Sequence, residues 1–236
     1  MLHIAVINES DAASDLDIQA MLPAFKTQWN QDLDPIWGVG AANFAFVPKH
    51  TAPKAGAWWV VFLNDSDQAN ALAYHDLTNE GLPISKVFVN TILADNASLS
   101  VGATHEICEM AVDPWLNGAY QDATGVFWAS EICDPVEDDQ YGYQIGNILV
   151  TDFVTPAWYA FQHASGDIDF KQHAESAFQV LTAGYAQKFD PHSGWQQITG
   201  VKALQTRRGA QAAIGSRRER RARRQAHWVR SKRKWS

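Results

Sequence analysis

The residues best suited to chemistry lie in one run, Thr104-His105-Glu106-Ile107-Cys108-Glu109-Met110-Ala111-Val112-Asp113-Pro114. A helix advances roughly 100° per residue. With His105 at zero, Glu109 falls at about 40°, Asp113 at about 80° and Glu106 at about 100°. Four acid and base side chains therefore share one narrow arc. His105 and Glu109 stand one turn apart, with Cβ atoms roughly 5–6 Å from one another. That spacing lets an imidazole nitrogen and a carboxylate oxygen reach one cation. Three carboxylates on one face repel each other, and a divalent ion relieves the repulsion. The plainer reading is a solvated acidic face, with His105 satisfied by Glu109 or Asp113.

The pattern His-Glu-x-x-Glu resembles the His-Glu-x-x-His helix of zinc metallopeptidases. There the residues at i and i+4 bind zinc and the intervening Glu is the general base. Glu109 stands where the second His would be. A carboxylate ligand makes bound water less acidic and widens the choice of metal toward calcium or manganese. Downstream come Trp115 to Asp122 and then Glu131-Ile132-Cys133-Asp134-Pro135-Val136-Glu137. With His75-Asp76-Leu77-Thr78, Gly81-Leu82-Pro83, Val87-Phe88-Val89 and Asp152 to Trp158, this series is similar to a group of zincin-like proteins of bacteria and bacteriophages. More distantly it resembles the phosphate-induced, exordium-like plant family. The resemblance spans roughly residues 57 to 198.

That resemblance implies a zincin-like mixed sheet packed on a metal-binding helix, within a domain covering residues 1–200. It implies a zinc-dependent hydrolase of metallopeptidase type, acting on a peptide or protein. Its ion would be Zn2+, with calcium or another divalent ion as the alternative. His105 and Glu109 would be ligands, and Glu106 would activate a metal-bound water as general base. Catalytic zinc sites usually have three protein ligands. Glu131, 22 residues after Glu109, is the first choice for the third, with Asp134 and Asp113 as alternatives. Asp113 is short and one turn further on, which suits a role in orienting a ligand. Tyr141 or Tyr143 is a candidate oxyanion donor. A protein that keeps the fold without the reaction is the competing reading.

These residues need elements to position them. Leu2 to Asn8 reads as a strand, and Asp15 to Asp32 as a helix with Pro23 as a kink. Asn43 to Val47 is a strand, and Ala57 to Leu63 suits a central strand with both faces covered. Ser66 to Leu77 reads as helical, capped by Ser66 or Asp67. Val87 to Val89 is a short strand. The motif helix runs from about Ser98 to Val112 and stops at Asp113-Pro114, because the residue before proline is pushed out of the helical region. Phe127 to Cys133 and Tyr143 to Phe153 are extended. Pro156 to Ala164 and Phe170 to Leu181 read as short helices, and Gly184 to Trp195 as a loop. This irregular interleaving is α+β.

The 236 residues carry a net charge of −7, but the charge is unevenly spread. Residues 1–200 hold six Lys, no Arg and 25 Asp and Glu, a formal charge of −19. Residues 201–236 hold 13 Lys and Arg against Glu219 alone, a formal charge of +12. The chain therefore reads as an acidic body with a basic Arg-rich tail, either disordered or helical on binding. Clusters such as Arg217-Arg218-Glu219-Arg220-Arg221 neutralise phosphates, so residues 207–235 are a candidate nucleic-acid segment. Trp228 and Trp235 suit base stacking or a membrane interface. The alternative to an enzyme is a non-catalytic, phage- or virion-associated structural protein with a structural metal site and this DNA-binding tail. Homo-oligomer or virion assembly is expected in that case.

An apolar content of 46 % supports a core. The longest apolar runs are too short to cross a bilayer. No basic stretch followed by an apolar one opens the chain, so no secretory signal is expected, and the setting is cytoplasmic or virion-associated. In that setting Cys108 and Cys133 are expected to be free thiols rather than a disulfide. His75, His163, His173 and His192 are read as ordinary surface or core histidines, any of which could serve as a further ligand.

Overall fold

The computed structural model describes residues 1–67, 71–159 and 168–200. The basic tail and His163 lie outside the described residues. The fold is mixed α+β.

Its main sheet is built from β1 (Leu2–Asn8), β2 (Ala42–Val47), β3 (Trp58–Leu63), β4 (Ala73–Leu77) and β5 (Pro83–Phe88), in the order β2-β1-β3-β5-β4. The pairs β1–β2, β1–β3 and β3–β5 are parallel. The edge strand β4 runs antiparallel to β5, with His75 opposite Ser85. Of the inner strands, β3 is a continuous apolar run, whereas β1 carries His3 and Asn8 and β5 carries Ser85 and Lys86. Ile4, Val6, Val60, Phe62 and Val87 point from one face into the main core. Ala5, Ile7, Ala57, Val61 and Ile84 form a smaller cluster on the other.

Helix α1 (Asp15–Thr27) starts at a capping box, in which Ser14 and Asp17 satisfy one another's backbone N–H groups. It contains Pro23, and the winding changes only at Gln28, where a π-helical stretch runs to Leu33. That stretch buries both Trp29 and Leu33, and the Trp29 indole donates to the Gly40 carbonyl at 2.8 Å. A short helix, α2 (Asp34–Trp37), ends on Gly38 in the left-handed region. Helix α3 (Val89–Ala94) leads to α4 (Leu99–Val112), which carries the motif and begins after Ser98 as expected. Almost all of α4 is buried, polar residues included. It packs on β4 and β5 on one side and on the segments after residue 128 on the other.

The second half forms a small antiparallel sheet and a hairpin. Strands β6 (Ala119–Gln121) and β7 (Phe127–Ala129) pair, as do β8 (Tyr143–Ile145) and β9 (Ile148–Val150) across Gly146. Strands β10 (Tyr185–Asp190) and β11 (Gly194–Thr199) complete the order β11-β10-β7-β6.

Three expectations are corrected here. Ala73 to Leu77, read as helix, is the edge strand β4: pairing with β5 outweighs a helical spacing of apolar residues. Gly184 to Trp195, read as loop, belongs to a hairpin whose turn is tied by Asp190 accepting from the His192 and Ser193 N–H groups. Phe170 to Leu181 is irregular rather than helical. Its chain is fixed by Asp169, which accepts from the His173 and Ala174 N–H groups, a local alternative to helix. Of the expected helix from Pro156, one 3-10 turn to Tyr159 is described.

Candidate metal centre

Three parts of the fold converge below the sheet. Helix α4 supplies His105, Glu106 and Glu109. The edge strand β4 supplies His75. The segment after β7 supplies Glu131, then Asp134 at the start of a 3-10 turn, then Glu137. His75, Glu106, Glu109, Glu131 and Asp134 are at most 2 % exposed and His105 is 5 % exposed, so this is an interior polar cluster, not a surface one.

His105 Nε2 lies 3.2 Å from Glu109 Oε1 and 3.1 Å from Asp134 Oδ1. Its Nδ1 is 3.9 Å from Glu137 Oε1. Burial alone would lower the His105 pKa, but the Glu109 charge and the Asp134 hydrogen bond outweigh it and hold the imidazole well above its usual range. His75 lies on the other oxygen of Glu109. Its Nδ1 is 3.0 Å from Glu106 Oε2 and 3.7 Å from Glu109 Oε2, and its Nε2 is 4.0 Å from Glu131 Oε2.

The sequence-derived set is thus only partly brought together. His105 and Glu109 meet as the i, i+4 spacing requires. Glu131, the first choice for a third ligand, faces His75, whereas its alternative Asp134 faces His105. Glu106, expected to stand beside the metal, is held by His75. Asp113 is the C-cap residue of α4, its N–H donating to the Glu109 carbonyl, and its Oδ1 accepts from the Asn117 and Gly118 N–H groups of the turn that follows. Tyr143 donates to Asp32 at 2.7 Å, and the Tyr141 ring lies tilted against that of His173. The tyrosine beside the carboxylates is Tyr159. Its pKa is raised by burial and then by the charges of Glu131 and Glu109, while its hydroxyl donates to the Ala129 carbonyl. Sequence reasoning missed Tyr159 and left His75 among the scattered histidines. The strand alternation that turns His75 inward was hidden by reading 66–77 as helix.

Cys108 and Cys133 are free and buried. Burial, and then a hydrogen bond with Cys108, pushes the Cys133 thiol well above its ordinary range, which makes it inert. The Cys133 N–H donates to Glu109 Oε1 at 3.3 Å, so the backbone helps orient that carboxylate.

The donor set suits a divalent cation. Two imidazoles and four buried carboxylates are hard-to-borderline ligands. Ligand atoms of His105, Glu109 and Asp134 all lie within 4.8 Å of one another, as do those of His75, Glu109 and Glu131. Lysines contact other groups: Lys49 and Lys86 pair with Asp11 and Asp67, Lys54 contacts His3, and Lys171 and Lys188 lie over aromatic rings. No family model matches the chain, and no curated protein or solved structure gives a match. Among the described residues no helix is long and apolar enough to cross a membrane.

Proposed function

We propose that residues 1–200 form a divalent-metal-binding domain of zincin-like type and that the chain is a metal-dependent hydrolase of peptide or related amide bonds. The observation that carries the metal reading is the buried charge. Glu106, Glu109, Glu131 and Asp134 are all at most 2 % exposed and gather around the imidazoles of His75 and His105. Carboxylates crowded together in a low-dielectric interior repel one another, which is costly without a cation among them. His105, Glu109 and Asp134 would hold the ion, with zinc the first candidate. A bound ion of this kind polarises a carbonyl and lowers the pKa of water. Glu106 would take the proton, its carboxylate fixed by His75, and Tyr159 would sit beside the reacting groups.

One observation favours a second reading. Apart from the partly exposed Glu137, the cluster is closed to solvent, which suits an ion that ties β4, α4 and the 131–137 segment together without catalysis. In that case the protein is a structural one, virion-associated, and its basic tail binds nucleic acid.

Two measurements decide. Purified protein should contain stoichiometric metal, and a strong chelator should lower its melting temperature. Metal-free protein with a chelator-insensitive transition would sink both readings. Wild type should cleave a generic protein substrate such as casein, and Glu106→Gln should bind metal but lose at least about 100-fold in rate, a typical general-base contribution. If both proteins hold metal and neither cleaves, the structural reading stands and the enzyme is excluded.

A further inference from the structure

Glu109 turns its two oxygens toward two different imidazoles. Oε1 is 3.2 Å from His105 Nε2 and Oε2 is 3.7 Å from His75 Nδ1. Each imidazole has its own second carboxylate: Asp134 for His105, Glu131 for His75. The cluster is therefore two three-residue ligand groups that share one residue.

His75 supplies an independent observation. It is fully buried, and its Nε2 has no hydrogen-bond partner among the described residues. A buried imidazole nitrogen without a partner loses its hydration for no return, unless something binds there. Its Nδ1, meanwhile, is held by Glu106 at 3.0 Å. An imidazole that contacts a carboxylate through one nitrogen and offers the other is the arrangement of a metal-bound histidine with its orienting partner.

The charge count points the same way. With neutral imidazoles, the ionised carboxylates of Glu106, Glu109, Glu131, Asp134 and the partly buried Glu137 total −5. One divalent ion leaves −3 and two leave −1. The second ion brings a site with little exposure much closer to neutrality.

We propose that the centre is dinuclear. The first ion is held by His105, Glu109 and Asp134, the second by His75, Glu109 and Glu131, with the Glu109 carboxylate shared between them. This rests on the metal-binding reading above and extends it to a second site. One nitrogen and two carboxylates per ion suit zinc or manganese, each of which accepts mixed nitrogen and oxygen donors. The bridge also gives the edge strand a task, since His75 brings β4 onto the second ion.

The test is metal stoichiometry and metal–metal coupling in the untagged full-length chain. Desalted wild type should carry two zinc ions per chain by elemental analysis, and His75→Gln and His105→Gln one each. Loaded with two equivalents of Mn2+, wild type should give an exchange-broadened paramagnetic resonance spectrum, and His75→Gln the six-line signal of an isolated ion. One ion in both wild type and His75→Gln would overturn the second site and leave the metal-binding reading standing. No metal in wild type would remove both. Two ions in His75→Gln would put the second ion elsewhere and overturn the proposal. If His75→Gln does not fold, wild type decides alone, because a six-line spectrum at two equivalents excludes the bridge.

Discussion

Asp152 is an acid held in its neutral form. Its pKa is raised to about 9, first by burial and then by the hydrogen bond and charge of Asp169. The Asp152 Oδ1 accepts from the Phe153 N–H at 2.8 Å and the Lys171 N–H at 3.2 Å, and Oδ2 lies 2.9 Å from His173 Nδ1. An ordinary Asp titrates near 3.9 in an unfolded chain. Between that value and about 9 the folded state binds the extra proton. The stability this proton contributes is therefore full below about pH 4 and is lost as pH rises toward the folded value. Asp152→Asn keeps the neutral shape and both backbone contacts. In EDTA it should match wild type near pH 5 and exceed it at pH 9 by about 1–3 kcal/mol, the scale of a buried polar group's cost. Thermal melts across that range check it, and parallel curves for the two proteins would refute it. At this same scale the candidate metal cluster was half legible. Helical arithmetic finds His105 and Glu109, because both lie on one element of fixed pitch. It could not choose between Glu131 and Asp134, because that choice depends on the path of an irregular segment.

At the scale of elements, legibility followed covering. β1, β2 and β3 are long apolar runs, and α4 has a clear start and a proline stop, so each declares itself locally. β4 and the β10–β11 hairpin do not. β4 pairs with the nearby β5 and β10 with the nearby β11, but polar side chains interrupt any apolar period, and the β10–β7 pairing joins segments far apart in sequence. The hairpin nonetheless matters to the site. Gly184, just before β10, lies where a Cβ would strike the carbonyl oxygens of Pro135 and Asp134. The Pro135 carbonyl also accepts from the Leu181 N–H at 2.8 Å, so the backbone there has no room to retreat. Gly184→Ala should push the 3-10 turn that carries Asp134. We expect a loss of about 1–3 kcal/mol in urea denaturation, the usual cost of overpacking. We also expect zinc affinity to fall at least about tenfold, since ligand displacement is felt steeply. Gly146→Ala is the control. Gly146 has a φ of 62° with open space around it, so alanine there costs backbone strain alone. Equal loss of zinc affinity in both variants would show that the turn is not positioned by Gly184.

Over the whole molecule the charge divides at one place. The described fold closes at Gly200, whose N–H donates to the Gly184 carbonyl at 2.8 Å. Up to that point the chain carries −19, and beyond it +12. The net −7 therefore describes neither part. Some of the negative charge lies inside, where the proposed ions would cancel it, but much of the remainder is on the surface and would repel a polyanion at short range. Any affinity for nucleic acid must then come from residues 201–236, against the field of the body. Truncation after Gly200 removes every arginine and leaves the β10–β11 pairing intact. Under the nucleic-acid proposal, full-length protein should be retained on duplex DNA at low salt, with log affinity falling by about 0.9 per phosphate neutralised for each tenfold rise in salt. The truncated chain should flow through, with unchanged metal content and melting temperature. Retention that survives truncation would place the contact on the body. Full-length protein that also flows through would mean that the tail is spent on the acidic body of its own chain or of another copy. Sedimentation in low and high salt separates those two cases, because only docking between copies changes the mass.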